Sequence, residues 1–580
     1  MNFTAISHRS AFTDCYTLDK DTAVLNIRTG KDVTAVRLMH EDPYAYGISG
    51  DIHWIGTPLS MKISRELKHH CIWSVTLKPQ YRRLQYYFEI FTEEEKFLLF
   101  EDAFYTDESI EKRGRWKQFF KLPYMNSADG ICVPDWVEQT VWYQIMPDRF
   151  CKGDSAPKRM PLKDWDDRES VSGNDFYGGD LRGVIEKLPY LADLGITGIY
   201  LLPLFLSDTN HKYNTFDYET IDPDFGTEED VIELVEKAHA LGIRVMLDAV
   251  FNHSGTDFFA WKDVWEKGES SPYFHWFCIH QTPFEAKYGD LRDGRMDGFA
   301  FLDFMPKLNT ANPEVMAYCI GRCQHWVQRW NIDGIRFDVG NEVAHTFLKA
   351  VHSALKALKP DLFLLGEIWH DSIQWLQGDE YDSVMNYPFF ESLHNFWVDK
   401  TATAEELMYA LNRVYSLYPE QINQVLFNFL DTHDTMRAAT RCGHRDVFYQ
   451  QLALLMTLPG TACIYYGTEI AMPGSHDPDC RRTMPWLEIN RGKYDEEISQ
   501  MKQLIALRKT CAAIRGTKIQ WHYDPEKPRL VHYTRPCQNK SLHICLNGGK
   551  THIPISGQPL FARRWENGQL APGGIYIFEE

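Results

Sequence analysis

From Val141 onward, short apolar runs alternate with helix-length amphipathic segments, and this alternation leaves the chain few possible architectures. Val141 to Met146, Gly198 to Leu202, Ile243 to Val250, Ile332 to Phe337, Leu362 to Ile368, Val425 to Leu430 and Ala462 to Tyr466 read as strands. Leu181 to Leu194 and Glu228 to Leu241 carry apolar residues at helical spacing. Repeated βα units imply parallel strands, and a full set of eight closes into a (β/α)8 TIM barrel. Polar or charged residues gather where strands end, at Asp248, Asp338, Glu367 and Asp434. A barrel brings all of them to one face, whereas an open sheet would spread them out.

A chain of 580 residues is too long for one core, so the barrel needs neighbours. Residues 1 to about 125 alternate apolar and polar at strand spacing, as in Ala23-Val24-Leu25-Asn26-Ile27-Arg28, and are expected to form an N-terminal β-sandwich. The barrel is expected to occupy 126–510. Within it, about 254–313 is too long and too aromatic for an ordinary loop and reads as a small domain inserted after the third strand. Strand-like segments such as Leu530-Val531-His532-Tyr533 place an all-β domain, a β-sandwich, over 511–580.

The formal net charge of −19 argues against nucleic acid or an anionic membrane surface as partner, since either needs a basic patch. Abundant aromatic residues suit stacking on the rings of a neutral sugar. Met1 to Asp14 shows no apolar run after a basic start, and the 13 cysteines are scattered without C-x-x-C pairs. Both features predict a cytoplasmic protein with reduced thiols.

Gly334-Ile335-Arg336-Phe337-Asp338 ends one apolar strand with a charged pair on the same face, because strand side chains alternate. A neighbouring Arg favours an ionised Asp, which makes Asp338 a candidate nucleophile. An Arg-x-Asp pair taken alone fits a structural ion pair better. A second strand, Leu362 to Gly366, also ends on a single carboxylate, Glu367. Cleaving an acetal with retention needs one carboxylate as nucleophile and one carboxylic acid to protonate the leaving oxygen, about 5–5.5 Å apart.

Asp248 to His253, Gly334 to Asp338, Gly366 to His370 and Leu430 to Asp434, in this order, resemble the four signature regions of the α-amylase superfamily of retaining glycoside hydrolases. Gly178-Gly179-Asp180-Leu181, His211-Lys212-Tyr213 and Asp477-Pro478-Asp479-Cys480-Arg481 extend the match. Met305-Pro306-Lys307-Leu308-Asn309 and Val339 to Val343 are similar to the cyclomaltodextrinase, neopullulanase and maltogenic amylase subgroup, which carries an N-terminal sandwich of starch-binding type.

The resemblance implies roles for particular residues. Asp338 is the nucleophile and Glu367 the acid and base, while Asp434 holds hydroxyls of the distorted sugar. Arg336 keeps Asp338 charged. His253 and His433 hydrogen-bond that sugar, Tyr213 stacks under it, and Asp477 and Arg481 contact the next ring. Trp369 stacks on an acceptor, and Glu342 influences whether water or a sugar takes the glycosyl group. The implied activity is hydrolysis of α-1,4 bonds in cyclodextrins, maltooligosaccharides and pullulan, with some transglycosylation, by a homodimer joined through its N-terminal domain. An exo-acting α-glucosidase, an endo-acting α-amylase and a glucan-binding protein without activity stay open as alternatives.

Three positions depart from the subgroup pattern: Asn214 and Thr468 where Asp is usual, and Gly340 where Ala is usual. Lys152-Gly153-Asp154 stands where some relatives bind calcium through an Asn-Gly-Asp turn. An ammonium opposes a hard cation, so no calcium is expected there; no metal ligands and no cofactor are read from the rest of the sequence, and calcium elsewhere stays open.

Overall fold

The computed structural model of the chain describes residues 1–48, 54–114, 117–153, 158–538 and 540–580. By packing, it divides into two compact units. The first comprises Met1–Cys132, Leu376–Gly378 and Ala402–Asn423. It contains two antiparallel sheets. One has four strands, in the order Cys15–Thr17, Ala23–Gly30, His70–Leu77, Lys62–Glu66. The other has six, centred on Leu84–Phe91. Leu25, Ile27, Leu38, Trp73, Tyr86, Phe88 and Ile90 form their common core. These residues recur at alternate positions because one face of each strand points into the space between the two sheets. The helix Ala404–Ser416 groups with this unit, and Asn412 Nδ2 donates to Glu66 O at 2.9 Å.

The second unit holds the barrel. Its strands are β1 (Val141–Ile145), β2 (Gly198–Leu201), β3 (Arg244–Ala249), β4 (Gly334–Phe337), β5 (Phe363–Gly366), β6 (Ser383–Val384), β7 (Phe427–Phe429) and β8 (Thr461–Tyr465). All neighbouring pairs are parallel, in the order β6-β5-β4-β3-β2-β1-β8-β7. A Met385–Phe427 bridge and the Asn386 N–H donating to Phe427 O at 2.9 Å link the two ends. The sixth strand has only two residues, too few for any periodicity to reveal.

Trp142, Tyr200, Met246, Phe363, Leu365, Phe427 and Cys463 fill one packed cluster. Trp142 and Phe363 stack with centroids 6.0 Å apart. A Cβ at Gly198 would lie 2.7 Å from the Trp142 ring, so the large side chain requires the glycine beside it. Helix Leu181–Leu194 starts at Asp180, whose carboxylate accepts from Gly183 N–H at 2.8 Å, and ends at Gly195 in the left-handed region.

The stretch after β3 contains the helix Phe259–Lys267 and an aromatic core of Phe258, Trp261, Trp276 and Phe277. It returns to β3 through a His253–Lys307 bridge. Among the described residues the strands after residue 519 form one antiparallel sheet of six, where the sequence reading has a β-sandwich of two sheets. Among the described residues no helix is long and apolar enough to cross a membrane.

At the start of β4, at the end of the barrel away from the strand-end carboxylates, Asp333 is fully buried. It accepts from His239 Nε2 at 2.7 Å, Arg244 Nη1 at 2.9 Å, Val245 N–H at 2.9 Å and Lys359 Nζ at 3.0 Å. Burial alone would raise its pKa, but these partners overcome burial and hold the carboxyl well below the usual range. A depressed folded-state value means that the stabilisation is complete above about pH 4 and is lost as pH falls further. Asp333→Ala is expected to cost about 3 kcal/mol in urea unfolding at neutral pH, because it leaves the buried Val245 N–H without its acceptor and removes the common partner of three part-exposed basic side chains. The gap from the wild type should shrink below about pH 4; a gap that does not change with pH would contradict this.

Candidate active site

Arg336 lies fully buried on β4, and its guanidinium is shared by three carboxylates. The strand register places Asp248 of β3 directly beside it. Nη1 lies 3.0 Å from both Asp248 oxygens and 2.8 Å from Asp338 Oδ1. Nη2 lies 2.9 Å from Glu367 Oε1, an ion pair that misses hydrogen-bond geometry. Tyr200 and Tyr213 hydroxyls donate to Asp248 Oδ2 at 2.6 and 2.8 Å and complete its hydrogen bonding.

One cation among three carboxylates does not neutralise them. Burial pushes Asp338 well above the usual carboxylate range. Arg336 pulls it down, and the charges of Glu367 and Asp248 push it up again. Arg336 opposes burial at Asp338, with its single charge divided among three carboxylates.

The loop after Asp338 is bent sharply. Val339 adopts φ 47°, a left-handed conformation that a β-branched residue rarely enters. This turns its N–H onto Glu367 Oε2 at 2.9 Å. Gly340 N–H donates to Glu367 O at 2.9 Å, and Tyr381 Oη donates to Gly340 O at 3.1 Å. Trp369 Nε1 donates to Glu367 Oε1 at 3.3 Å. The Trp369 ring stacks on Tyr387 with centroids 4.0 Å apart and is half exposed, which leaves one face free.

Asp434 follows β7. Its carboxylate meets His433 Nε2 at 3.2 Å and Arg481 Nη2 at 3.3 Å. Burial raises Asp434, against the pull of Arg481 and Arg336. Gln144 Nε2 lies 2.9 Å from His433 Nδ1. An amide nitrogen only donates, so the neutral ring carries its proton on Nε2, facing Asp434. Burial first, then Arg481 and Arg336, keep His433 far below its ordinary pKa. His433 is also parallel to Tyr213, with centroids 5.2 Å apart. Arg481 extends to Asp477 Oδ2 at 3.1 Å.

Burial lowers His253 to about 4, so it is neutral. Its Nε2 donates to Tyr213 O at 3.1 Å, and Nδ1 faces Asn252 Nδ2 at 3.3 Å. Both ring nitrogens thus have protein partners, and the ring packs on Phe299.

Asp338, Glu367, Asp434, Tyr213, His253, Trp369, His433, Asp477 and Arg481 line one cavity of about 500 Å³. Arg336 lies beneath it. Glu342 is not among the lining residues; half exposed, it pairs with Lys307 Nζ at 3.0 Å. His211, Phe299, Met305 and Asn341 line the cavity without having been anticipated. His211 lies within a recognised motif and was legible there. Met305 and Asn341 likewise lie within recognised motifs, whereas Phe299 lies in the insertion, where nothing in the pattern marks which aromatic residue turns inward.

The departures have physical reasons. Asn214 Nδ2 donates to the Asp208 carboxylate, where a second carboxylate would repel it. Thr468 Oγ1 donates to Asp431 at 2.9 Å, for the same reason. The run Lys152-Gly153-Asp154, where no calcium is expected, passes out of the described residues at Asp154.

The family profile described as "Alpha amylase, catalytic domain" matches residues 144–525, and "Alpha amylase, N-terminal ig-like domain" matches 1–126. The chain is 40% identical to a cyclomaltodextrinase of Geobacillus thermopakistaniensis (strain MAS1), over 97% of this chain and 94% of that protein. It is 39% identical to an "Intracellular maltogenic amylase" of Bacillus subtilis, over 96% and 93%. A solved cyclomaltodextrinase structure superposes with a TM-score of 0.88 at 34% identity, covering 100% of this chain and 98% of that one.

A Cβ on residue 340 would lie 2.8 Å from Tyr381 Oη and 3.2 Å from the Glu367 backbone N and O. Gly340→Ala is therefore expected to destabilise by about 1–3 kcal/mol and to lower turnover by misplacing Glu367. Thermal unfolding and steady-state kinetics check this; wild-type values for both would contradict it.

Proposed function

The chain belongs to the α-amylase family of glycoside hydrolases, and on that premise we propose that it cleaves α-1,4-glucosidic bonds of cyclodextrins, short maltooligosaccharides and pullulan, retaining anomeric configuration and transferring some glycosyl groups to sugars. The observation that carries this reading is the convergence of Asp338 and Glu367, from adjacent strands, on one guanidinium and one cavity. Relatives named cyclomaltodextrinase and maltogenic amylase along nearly the whole chain support the substrate class.

In the proposed reaction Glu367 gives its proton to the glycosidic oxygen as Asp338 attacks the anomeric carbon, and a glycosyl-enzyme forms. Glu367 then takes a proton from water, or from a sugar hydroxyl, which attacks the same carbon and breaks its bond to Asp338, releasing the carboxylate. Burial works against the charge on Asp338 in the empty site, but the positive charge growing on the sugar favours it at the moment of reaction. Asp434 and the neutral His433 would hold hydroxyls of the distorted ring. Tyr213 and His253 would form the wall against that ring, Asp477 and Arg481 would meet the next one, and the free face of Trp369 would carry an acceptor. Glu342, at the rim, would influence the choice between water and acceptor. No metal or cofactor enters these steps.

We place the active protein in the cytoplasm. All thirteen cysteines are free thiols, as suits a reducing compartment, and one relative's name includes "Intracellular". Homodimer formation through the N-terminal unit is supported by exposed Tyr44, Tyr46, Ile48 and Ile55, the last two 91% and 69% exposed. The domain limits that accompany this reading are 1–125, 126–510 and 511–580.

Initial rates on β-cyclodextrin, pullulan and soluble starch, measured separately, test the substrate class. Cyclodextrin should be the fastest and should yield α-anomeric products by NMR; starch cleaved fastest, or β-anomers, would refute the proposal. Asp338→Asn is expected to reduce kcat by about 10³-fold or more while leaving sugar binding largely intact. Gel filtration at micromolar concentration should give a dimer, and a monomer throughout would remove that part of the reading.

A further inference from the structure

The inserted segment returns to the barrel as an extended stretch in register with the end of β3. Ser254 N–H donates to Pro306 O at 3.1 Å, and Leu308 N–H donates to Asn252 O at 3.0 Å. Lys307, between them, reaches the ends of the β3 and β4 loops, and its ammonium meets three oxygens there. These are Asn252 Oδ1 in a close contact, Glu342 O at 3.1 Å and Glu342 Oε2 at 3.0 Å. An ammonium has three N–H donors, so its hydrogen-bonding capacity is matched. The lysine side chain is only 20% exposed. A surface lysine usually holds one partner loosely, whereas this one is a fixed charge joining two loops.

The loop it holds is the one that carries the reacting pair. Between Asp338 and Glu342 the backbone passes through the strained Val339, whose N–H donates to Glu367 Oε2. A conformation of that kind persists only where its surroundings over-determine it. Hydrogen bonds to Glu367 anchor the inner end of the loop, at Val339 and Gly340. Lys307 anchors the outer end, at Glu342, through both its backbone and its side chain.

We propose that Lys307 is a positioning residue whose ammonium, acting as a tethered cation, locks Glu342 and the loop behind Asp338 to the end of β3 and so favours sugar over water as glycosyl acceptor. The inference rests on the roles given above to Asp338, Glu367 and Glu342. Its direction follows from what each acceptor needs. Water is small and attacks from many orientations, whereas a sugar hydroxyl must be held in place, so loosening the rim penalises transfer more than hydrolysis.

Lys307→Met keeps the length of the side chain and removes its charge and donors, and Lys307→Arg restores the charge. With β-cyclodextrin as donor and methyl α-glucoside as acceptor, K307M should lower the ratio of transfer to hydrolysis about tenfold, the usual scale for losing a hydrogen bond to a charged group. K307R should recover most of it. Independently of turnover, amide hydrogen exchange across 339–343 should quicken about tenfold in K307M and return toward wild type in K307R. A general structural weakening would instead lower kcat for both acceptors alike and quicken exchange throughout the barrel. A transfer ratio within about twofold of wild type, or loop exchange unchanged, overturns the proposal. Should K307M fail to fold, Asn252→Ala, which removes one of the three oxygens, is judged by the same two readouts. A wild-type protein with no glucan hydrolysis would defeat the proposed function, and the exchange rates would then decide the clamp alone.

Discussion

The catalytic end of the barrel is arranged about the guanidinium of Arg336. A buried cation of this size is costly unless its charge and its donors are met. Here Asp248, Asp338 and Glu367 meet the charge from three adjacent strands or strand ends, and Nη1 donates to the first two. Their positions follow from parallel register. Asp248 pairs with Arg336, Asp338 lies two residues further along the same face, and Glu367 follows Gly366, which pairs with Phe337. A slip of one residue in any of these strands would turn a carboxylate away and leave the arginine unpaired. Electrostatics and register therefore stabilise each other.

Around that centre, the remaining groups are held by contacts very distant in sequence. Gln144 of β1 sets the tautomer of His433, 289 residues later. Tyr213 is aimed by its hydrogen bond to Asp248 and by packing parallel to His433. Arg481 joins Asp434 to Asp477 across the far wall. The insertion contributes in two ways: Phe299 and Met305 close the cavity, and Lys307 pins the loop behind Asp338. The strain stored at Val339 is thus bounded at both ends of its loop, where a looser surrounding would let it relax.

Much of this architecture was legible in the residues. Alternating apolar runs and amphipathic segments named seven barrel strands, because parallel strands are buried on both faces and read as unbroken apolar stretches. The two-residue β6 escaped, since Ser383 and Val384 carry no period at all. The strand-end carboxylates stood out because a single charge closing an apolar run is rare. Phe299 did not, since an insertion rich in aromatic residues offers many equivalent candidates. Glu342 was assigned to the acceptor side by resemblance, and the structure pairs it with Lys307 outside the cavity lining. The charge state of Asp338 was read from Arg336 alone, two residues away. The sharing of that guanidinium with Asp248 and Glu367 lay beyond any local pattern.

By itself, the sequence determined the parallel βα repeat, the β-rich segments on either side, and which carboxylates end which strands. These are local properties: periodicity, turn residues and the spacing of one charge from an apolar run. Only the tertiary structure decided that three carboxylates divide one buried cation, that burial opposes Arg336 at Asp338, and that Lys307 binds two loops together. Those outcomes depend on distances and solvent exclusion among residues tens to hundreds of positions apart, and a charge acquires its energy from its surroundings in space, not from its neighbours along the chain.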